Sequence, residues 1–329
     1  MFCVTLVIPV RDESKTLPEL LQSIAAQTFP PTEVIFVDAG SVDDSLQLLQ
    51  EAVRREPRYR VIEAGQSSPG RARNLGIAAA SHDWIALADA GMRLQPDWLE
   101  QLVNSARAAP SATAIFGNYE PIINSFFERC AALAYVTPKQ KRNGKLMRGP
   151  VAASSLVRAT VCREVGGFPD SRAAEDMMFV EAIQKRGYDI GWAPSATTWW
   201  RLRPTLAATF DRFVTYSRYN VWAGRQWDWH YGVRRIYLLM LPFIALAFIH
   251  SWWWLLAPVA IMLARAAKSI WRAREARGIL WAINPVQLVG VTMLLFVIDV
   301  ATFVGWVQAL LRQPDGNTYK ATLSTGKSE

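Results

Sequence analysis

Apolar positions in the first ninety residues fall into short, nearly continuous runs separated by stretches of helical period. Val4 to Pro9 and Glu33 to Val37 are runs rich in β-branched residues, the pattern of strands buried on both faces, as in a parallel sheet. Between them Leu17, Leu20, Leu21 and Ile24 recur at i, i+3, i+4 and i+7. This spacing predicts a helix, with Thr16 placed to cap it and Pro18 in its first turn. A strand–helix–strand unit of this kind takes a right-handed crossover. The pattern then repeats. Ser41 and Asp44 have capping-box spacing ahead of Leu46, Leu49 and Val53, and Arg60 to Glu63 reads as a third strand. A turn over Gly65 to Gly70 leads to a helix from Arg71 to Ala80, and Trp84 to Ala88 reads as a fourth strand. The predicted class is α/β, a mostly parallel open sheet with flanking helices, whose ligand sits beyond the carboxyl ends of the strands.

The last third follows another pattern. From Ile236 to Ala264 there is no Asp, Glu, Lys or Arg, a length that exceeds one helix crossing of a ~30 Å hydrocarbon core. Arg225, Arg234 and Arg235 precede it, and Arg265, Lys268, Arg272, Arg274 and Arg277 follow. Positive flanks favour the cytosol, so a hairpin over 236–264 with a cytosolic basic loop over 265–278 is expected. Each limb of about 14 residues is short, which implies local thinning of the bilayer or a re-entrant pair. A further apolar stretch over 279–311 contains one charge, Asp299, which should face protein, water or the interface. It either crosses once or folds back near Asp299. Folding back would leave the polar tail over 313–329, with Lys320 and Lys327, in the cytosol. Between the two regions, residues 201–235 mix Phe210, Phe213, Val214, Tyr216 and Trp222 with Arg212, Arg218 and Arg225. Such a segment suits the headgroup plane, or packs as an amphipathic helix on the first domain, which is expected to span 1–200.

Composition supports this division. Hydrophobic residues make up 51% of the chain and most of its 14 Trp follow Ser195. The net charge of +8 is concentrated beside the apolar stretches, which suits anionic headgroups and cytoplasmic loops rather than nucleic acid. Three cysteines, Cys3, Cys130 and Cys162, have no paired spacing, and with only three histidines they support neither a disulfide framework nor a zinc site. The first apolar run is too short for a signal peptide and lacks a preceding positive charge, so the first domain is expected in the cytosol, at the inner face of the plasma membrane.

Candidate chemistry lies at the strand ends. Strand one runs into Pro9, Val10, Arg11, Asp12 and Glu13; strand two ends at Asp38; strand three leads to Arg71, Arg73 and Asn74; strand four ends at Asp89. Carboxylates there suit ribose hydroxyls or a metal, and arginines at a helix start suit a diphosphate. An Asp or Ser after a strand is also a common helix cap, so the joint placement carries the argument.

These blocks resemble the family 2 glycosyltransferases, from "VTLVIPVRDESKTLPELLQSIAAQTFPPTEVIFVDAGSVDDS" through "SPGRARNLGIAAASHDWIALADAGMRLQPDWLE" to "GGFPDSRAAEDMMFVEAIQKRGY". The resemblance covers roughly Phe2 to Pro194. It implies a GT-A fold that transfers a sugar, with inversion, from a nucleotide-diphosphate donor. Pro9, Arg11, Asp12, Glu13 and Asp38 would hold the nucleoside, and Arg71, Arg73 and Asn74 would lie near the phosphates. Asp89-Ala90-Gly91 occupies the place of the Asp-x-Asp motif, with Gly91 for the second aspartate. A divalent metal, Mg²⁺ or Mn²⁺, is expected on Asp89 and completed by phosphate oxygens and water. Glu175-Asp176 matches the acidic pair of the acceptor half, and Asp176 is expected to deprotonate the acceptor hydroxyl. Charge at a helix N-terminus is the plainer account of that pair.

The basic stretch Lys139, Lys141, Arg142, Lys145 and Arg148 suits a solvated loop or a lid over phosphate. Trp199, Trp200, Arg201 and Arg203 are expected after the last strand, on the acceptor side. The function so implied is sugar transfer to a lipid-linked or glycan acceptor near the membrane, in envelope polysaccharide or glycolipid synthesis. A silent nucleotide-sugar-binding scaffold, suggested by Gly91, is the alternative. A membrane nucleotidyltransferase would need a glycine-rich loop after strand one, and Pro9 to Glu13 contains no glycine.

Overall fold

The computed structural model describes residues 2–142, 144–274 and 277–312. The described chain divides into two compact units, one of residues 2–120 and 139–201, the other of 121–138 and 202–312. Residues 121–138, expected within a continuous 1–200 domain, thus group with the C-terminal third. The tail bearing Lys320 and Lys327 lies outside the described residues.

In the first unit β1 (Val4–Val10), α1 (Leu17–Ala25), β2 (Glu33–Asp38), α2 (Ser45–Arg55), β3 (Tyr59–Glu63), α3 (Pro69–Ala78) and β4 (Trp84–Leu87) realise the predicted alternation. There follow β5 (Met92–Leu94), α4 (Trp98–Ala108) and β6 (Ala114–Ile122). Next, α5 (Phe126–Tyr135) belongs to the second unit, and the hairpin of β7 (Gln140–Arg142) and β8 (Lys145–Met147) returns to the first. That unit closes with β9 (Ser155–Arg158), α6 (Ala159–Glu164), α7 (Glu175–Lys185) and β10 (Ile190–Arg201).

The large sheet has the order β3-β2-β1-β4-β9-β6-β10-β5. Its first four strands are parallel; β9 runs antiparallel to β4 and β6, and β10 antiparallel to β5. Strand alternation sorts the core into two layers. Leu6, Ile8, Val34, Phe36 and Ala86 pack with α1, α2 and α4 on one face. Val7, Ile35, Val37, Ile85 and Leu87 pack with α3, α6 and α7 on the other. Helix and sheet approach closely at Gly76, where an added Cβ would run into the Val7 side chain and lie 3.1 Å from that of Val37. Gly76→Ala is therefore expected to cost about 1–3 kcal/mol by overpacking, read as a lower melting temperature with the fold retained.

Two helix starts differ from the sequence expectation. Thr16 occupies the N-cap of α1, but its hydroxyl turns back to Glu13 instead of capping the helix. Ser41 lies outside α2, whose N-cap is Asp44; Asp43 accepts from the Ser45 amide instead.

The second unit contains α5 with α8 (Leu206–Trp222), α9 (Gln226–Ile249), α10 (Leu256–Arg272), α11 (Ile279–Ala282) and α12 (Pro285–Leu311). The charge-free run over 236–264 is divided between α9 and α10, and α9 itself starts at Gln226 and takes Arg234 and Arg235 into the helix. The break between the interface segment and the hairpin therefore falls at Ala223-Gly224-Arg225, ten residues before 235, where Gly224 has φ +73°. The third apolar stretch does not fold back at Asp299: α12 is one helix through it. Among the described residues three helices, Gln226–Ile249, Trp252–Arg272 and Pro285–Leu311, are long and apolar enough to cross a membrane. The interior of the unit has a polar seam. Ser217 donates to the Thr302 carbonyl at 2.6 Å and meets His230 Nε2 at 2.7 Å, while Arg265 pairs with Asp299. Glycine permits the close crossing of α8 and α12, because a Cβ at Gly305 would strike the Val214 carbonyl.

Candidate active site

Register aligns the ends of the parallel strands: Val10 pairs with Asp38 and Asp38 with Glu63. The loops leaving β1 and β2 are joined by hydrogen bonds. Asp12 donates through its amide to Ser41 Oγ at 3.1 Å and accepts from the Val42 amide at 2.8 Å. The Glu13 amide donates to Ser45 Oγ at 2.8 Å, and the Ser14 amide to Asp43 at 3.0 Å. Burial opposes charge on Asp43, but bonds from Ser45 and Ser14 outweigh it and hold its carboxyl well below the usual range. Asp12, at φ +54°, is thus spent on the loop. Arg11 donates to Gln66 at 2.8 Å, and Pro9 is half-buried on β1. Asp38 is 3% exposed; its Oδ2 accepts from the amides of Gly40 and Ser41, while Oδ1 is buried with no hydrogen-bond partner among the described residues. A buried carboxylate oxygen in that state costs about 1–3 kcal/mol unless a donor arrives.

Arg73, expected near the phosphates, is the buried centre of an acidic cluster. Its side chain is 3% exposed and pairs with Asp89 at 2.7 Å, Glu175 at 3.1 Å and Asp176 at 3.0 Å. The guanidinium also lies over the Phe168 ring, 5.2 Å from its centre. Burial opposes its charge, but Asp176, Asp89 and Glu175 together raise its pKa, so Arg73 stays a cation. The fold therefore gathers the acidic pair at the start of α7 and the carboxylate after β4 around one guanidinium.

Asn74 is likewise committed within the protein. Its amide donates to the Phe168 carbonyl at 2.7 Å and its Oδ1 accepts from the Phe168 amide at 2.8 Å. Ser68, which caps α3, donates to Asp170 at 2.5 Å. Together these bonds fasten α3 to the segment that leads into α7. Arg71, exposed in the first turn of α3, is the arginine of this group left at the surface.

Gly91 has a neighbour that the sequence did not indicate. An added Cβ there would lie 3.2 and 3.5 Å from the two carboxylate oxygens of Glu13. Thr16 and the Glu13 carboxylate are hydrogen-bonded, and Arg201 donates to the Gly91 carbonyl at 3.3 Å. A carboxylate from another loop thus stands beside Gly91. Gly91→Asp would set like charges together, and is expected to lower the melting temperature, with the loss relieved by Glu13→Ala.

Among the described residues no group of three His, Cys, Asp or Glu forms a protein-made metal cage. One oxygen of Asp89 is engaged by Arg73, but its side chain is 34% exposed. An exposed carboxylate oxygen is the hard ligand that a cation completed by phosphate and water would take.

The basic stretch forms the β7–β8 hairpin. Lys139 and Arg148 pair with Glu120 at 2.6 and 3.1 Å, Lys145 donates to Ser195 at 3.0 Å, and Arg142 stacks over Trp192. Trp199, Trp200 and Arg201 lie within β10 rather than after it.

Residues 5–165 match Glycosyl transferase family 2. The succinoglycan biosynthesis protein ExoO of Rhizobium meliloti is 34% identical over 113 residues, 34% of this chain and 32% of that protein. The poly-β-1,6-N-acetyl-D-glucosamine synthase of Staphylococcus aureus is 22% identical over 65% of this chain and 54% of its own. The chain spans about a third of the length of the first curated relatives it matches. In fold it is similar to the mannosyltransferase PcManGT of Pyrobaculum calidifontis, solved with GDP-Man and Mn²⁺, at TM-score 0.54 and 18% identity, over 94% of this chain and 88% of that one. It is also similar to S. aureus TarS 1–349, solved with UDP-GlcNAc, at TM-score 0.50 and 15% identity, over 94% and 90%. The mostly parallel sheet with its flanking helices is a GT-A fold, and residues 5–165 of the chain form a family 2 glycosyltransferase domain.

Proposed function

We propose that the chain transfers a sugar, with inversion, from a nucleotide-diphosphate donor to a lipid-linked or glycan acceptor at the cytoplasmic face of the plasma membrane, in polysaccharide or glycolipid synthesis. The observation that carries this reading is the Arg73 cluster, which holds donor-side Asp89 and acceptor-side Asp176 on one guanidinium. In an inverting displacement the acceptor oxygen bonds to the anomeric carbon as the bond from that carbon to the diphosphate breaks. Asp176 takes the hydroxyl proton, and the nucleoside diphosphate leaves on the opposite face. Arg73 orients that carboxylate, and Asp38 offers its unpaired Oδ1 to a donor on the nucleoside. Asp89 and Glu13 would hold a divalent cation, which supplies positive charge to the departing diphosphate. Arg71 stands exposed at the helix start as a further cation for it.

The relatives named for succinoglycan and poly-N-acetylglucosamine synthesis support the polysaccharide setting, and three long apolar helices with basic flanks support the membrane. Turnover of a nucleotide-sugar panel by the detergent-purified chain, with Mg²⁺, Mn²⁺ or EDTA, tests the reading. One donor should be consumed. Asp38→Ala should raise its KM about 10- to 100-fold, the worth of one hydrogen bond to a charged group. Saturable donor binding without turnover, unchanged by added membrane lipid, would instead support the silent scaffold that Gly91 suggests.

A further inference from the structure

We infer that α12, long and apolar enough to cross a bilayer, instead lies in the plane of the near leaflet with its exposed stripe in the lipid. This rests on the membrane reading above. Asp299 is near the middle of α12, with fourteen residues of the helix before it and twelve after. It pairs with Arg265 of α10 and is reached by the Tyr237 hydroxyl of α9. Arg234 and Arg235 lie within a turn of Tyr237 on α9, and Lys268 within a turn of Arg265 on α10. Arg218 of α8 follows Ser217, which is bonded to Thr302. If α12 crossed symmetrically, all of these charges would lie near the bilayer midplane, where each Arg or Lys costs about 2.5–3.5 kcal/mol or more. Placing that level at the headgroups removes the cost. Neither arm of α12, about 21 and 18 Å at 1.5 Å per residue, then reaches across a ~30 Å core.

The flanking helices agree. Towards its N-terminal end α12 is met by α5, where a Cβ at Gly290 would come within 2.9 Å of Cys130 Sγ. Towards its C-terminal end it is covered by α8, whose Trp222 indole donates to the Ala309 carbonyl at 3.2 Å. Both covering helices carry charge: Glu128 and Arg129 on α5, Asp211, Arg212 and Arg218 on α8. The opposite face is apolar and exposed at Val286, Val289, Met293, Phe296, Val300 and Val307. Polar Gln287, Asp299 and Thr302 lie on the covered side, so the exposed stripe is the side free to meet lipid. Charge-free limbs of α9 and α10 leave from the level of Asp299, so the hairpin alone enters the bilayer more deeply.

The test uses the full chain with Cys3→Ser, reconstituted in phosphatidylethanolamine–phosphatidylglycerol vesicles. A nitroxide is attached singly through Val286→Cys, Met293→Cys, Val300→Cys or Val307→Cys, all surface positions. Immersion is read from collision with oxygen against a water-soluble nickel chelate. We expect all four labels at depths within about 5 Å of one another in a single leaflet. Depths that differ by about 10 Å or more, greatest at the centre of the helix, would overturn the placement in favour of a crossing. A chain that does not sediment with the vesicles would overturn membrane attachment itself, and the placement of α12 with it.

Discussion

Asp176→Asn is expected to lower kcat for sugar transfer by about 10²- to 10⁴-fold, the usual worth of a positioned general base, with the donor KM little changed. The amide keeps the shape of the side chain but cannot take the acceptor proton. Asp176 is 30% exposed and held by Arg73 at 3.0 Å, so the neutral replacement should not unfold the domain. It removes one of three negative charges from the cluster, which relieves repulsion among them. A melting temperature at or above that of the parent chain, together with a collapsed kcat, is the expected pair of results. Full activity in the variant would remove Asp176 from the base role and leave the pair as charges at the start of α7.

Arg73→Met is expected to be more damaging to the fold than to any single step. Removing one partner of a buried ion cluster typically costs about 3–5 kcal/mol, because the remaining charges stay buried without their counter-ion. Here Glu175 is 9% exposed at its side chain and would be left facing Asp89 and Asp176. For a domain of this size the melting temperature should fall by about 10 °C. Arg73→Lys should recover part of that stability but little activity, since an ammonium cannot meet three carboxylates in the geometry of the planar guanidinium fork. If both variants melted with the parent chain, the cluster would not be a structural centre.

How far the sequence reached depended on the kind of signal. The β-branched runs at Val4 to Pro9 and Glu33 to Val37 announced buried parallel strands, since nothing else needs apolar side chains on both faces of so short a segment. Asp38 was singled out only jointly with the groups at the other strand ends, since an Asp after a strand is also a common helix cap. Arg73 and Asn74 were expected near the phosphates, and their partners within the protein were not indicated. Their partners Glu175, Asp176 and Phe168 are about a hundred residues away in sequence, and no local pattern records which group an arginine will meet. Glu13 beside Gly91 was hidden for the same reason. Its loop, after β1, is far from Gly91 in sequence, and only the fold sets the two side by side. In the apolar third, counting uncharged residues marked out a run that the structure divides between α9 and α10. The helix itself begins at Gln226 because Gly224, at φ +73°, ends α8 and lets the chain restart. Arg234 and Arg235 are then accommodated on a helix that the charge count had excluded.

The assignment of α5 to the second unit has a practical consequence for anyone preparing a soluble enzyme. Cutting the chain after Arg201 would discard α8 to α12 but retain α5, which lies in the sequence between β6 and β7. Cys130 and Ala131, now 1% and 0% exposed, pack in a unit whose other helices would be gone, and Phe126 and Leu133 would lose their neighbours with them. The fragment would carry a sticky apolar ridge in the middle of an otherwise water-compatible domain, and aggregation is the natural outcome. Solubilisation by truncation calls for a second change, polar replacements along α5 or a short polar loop from Ile122 to Lys139, made together with the cut.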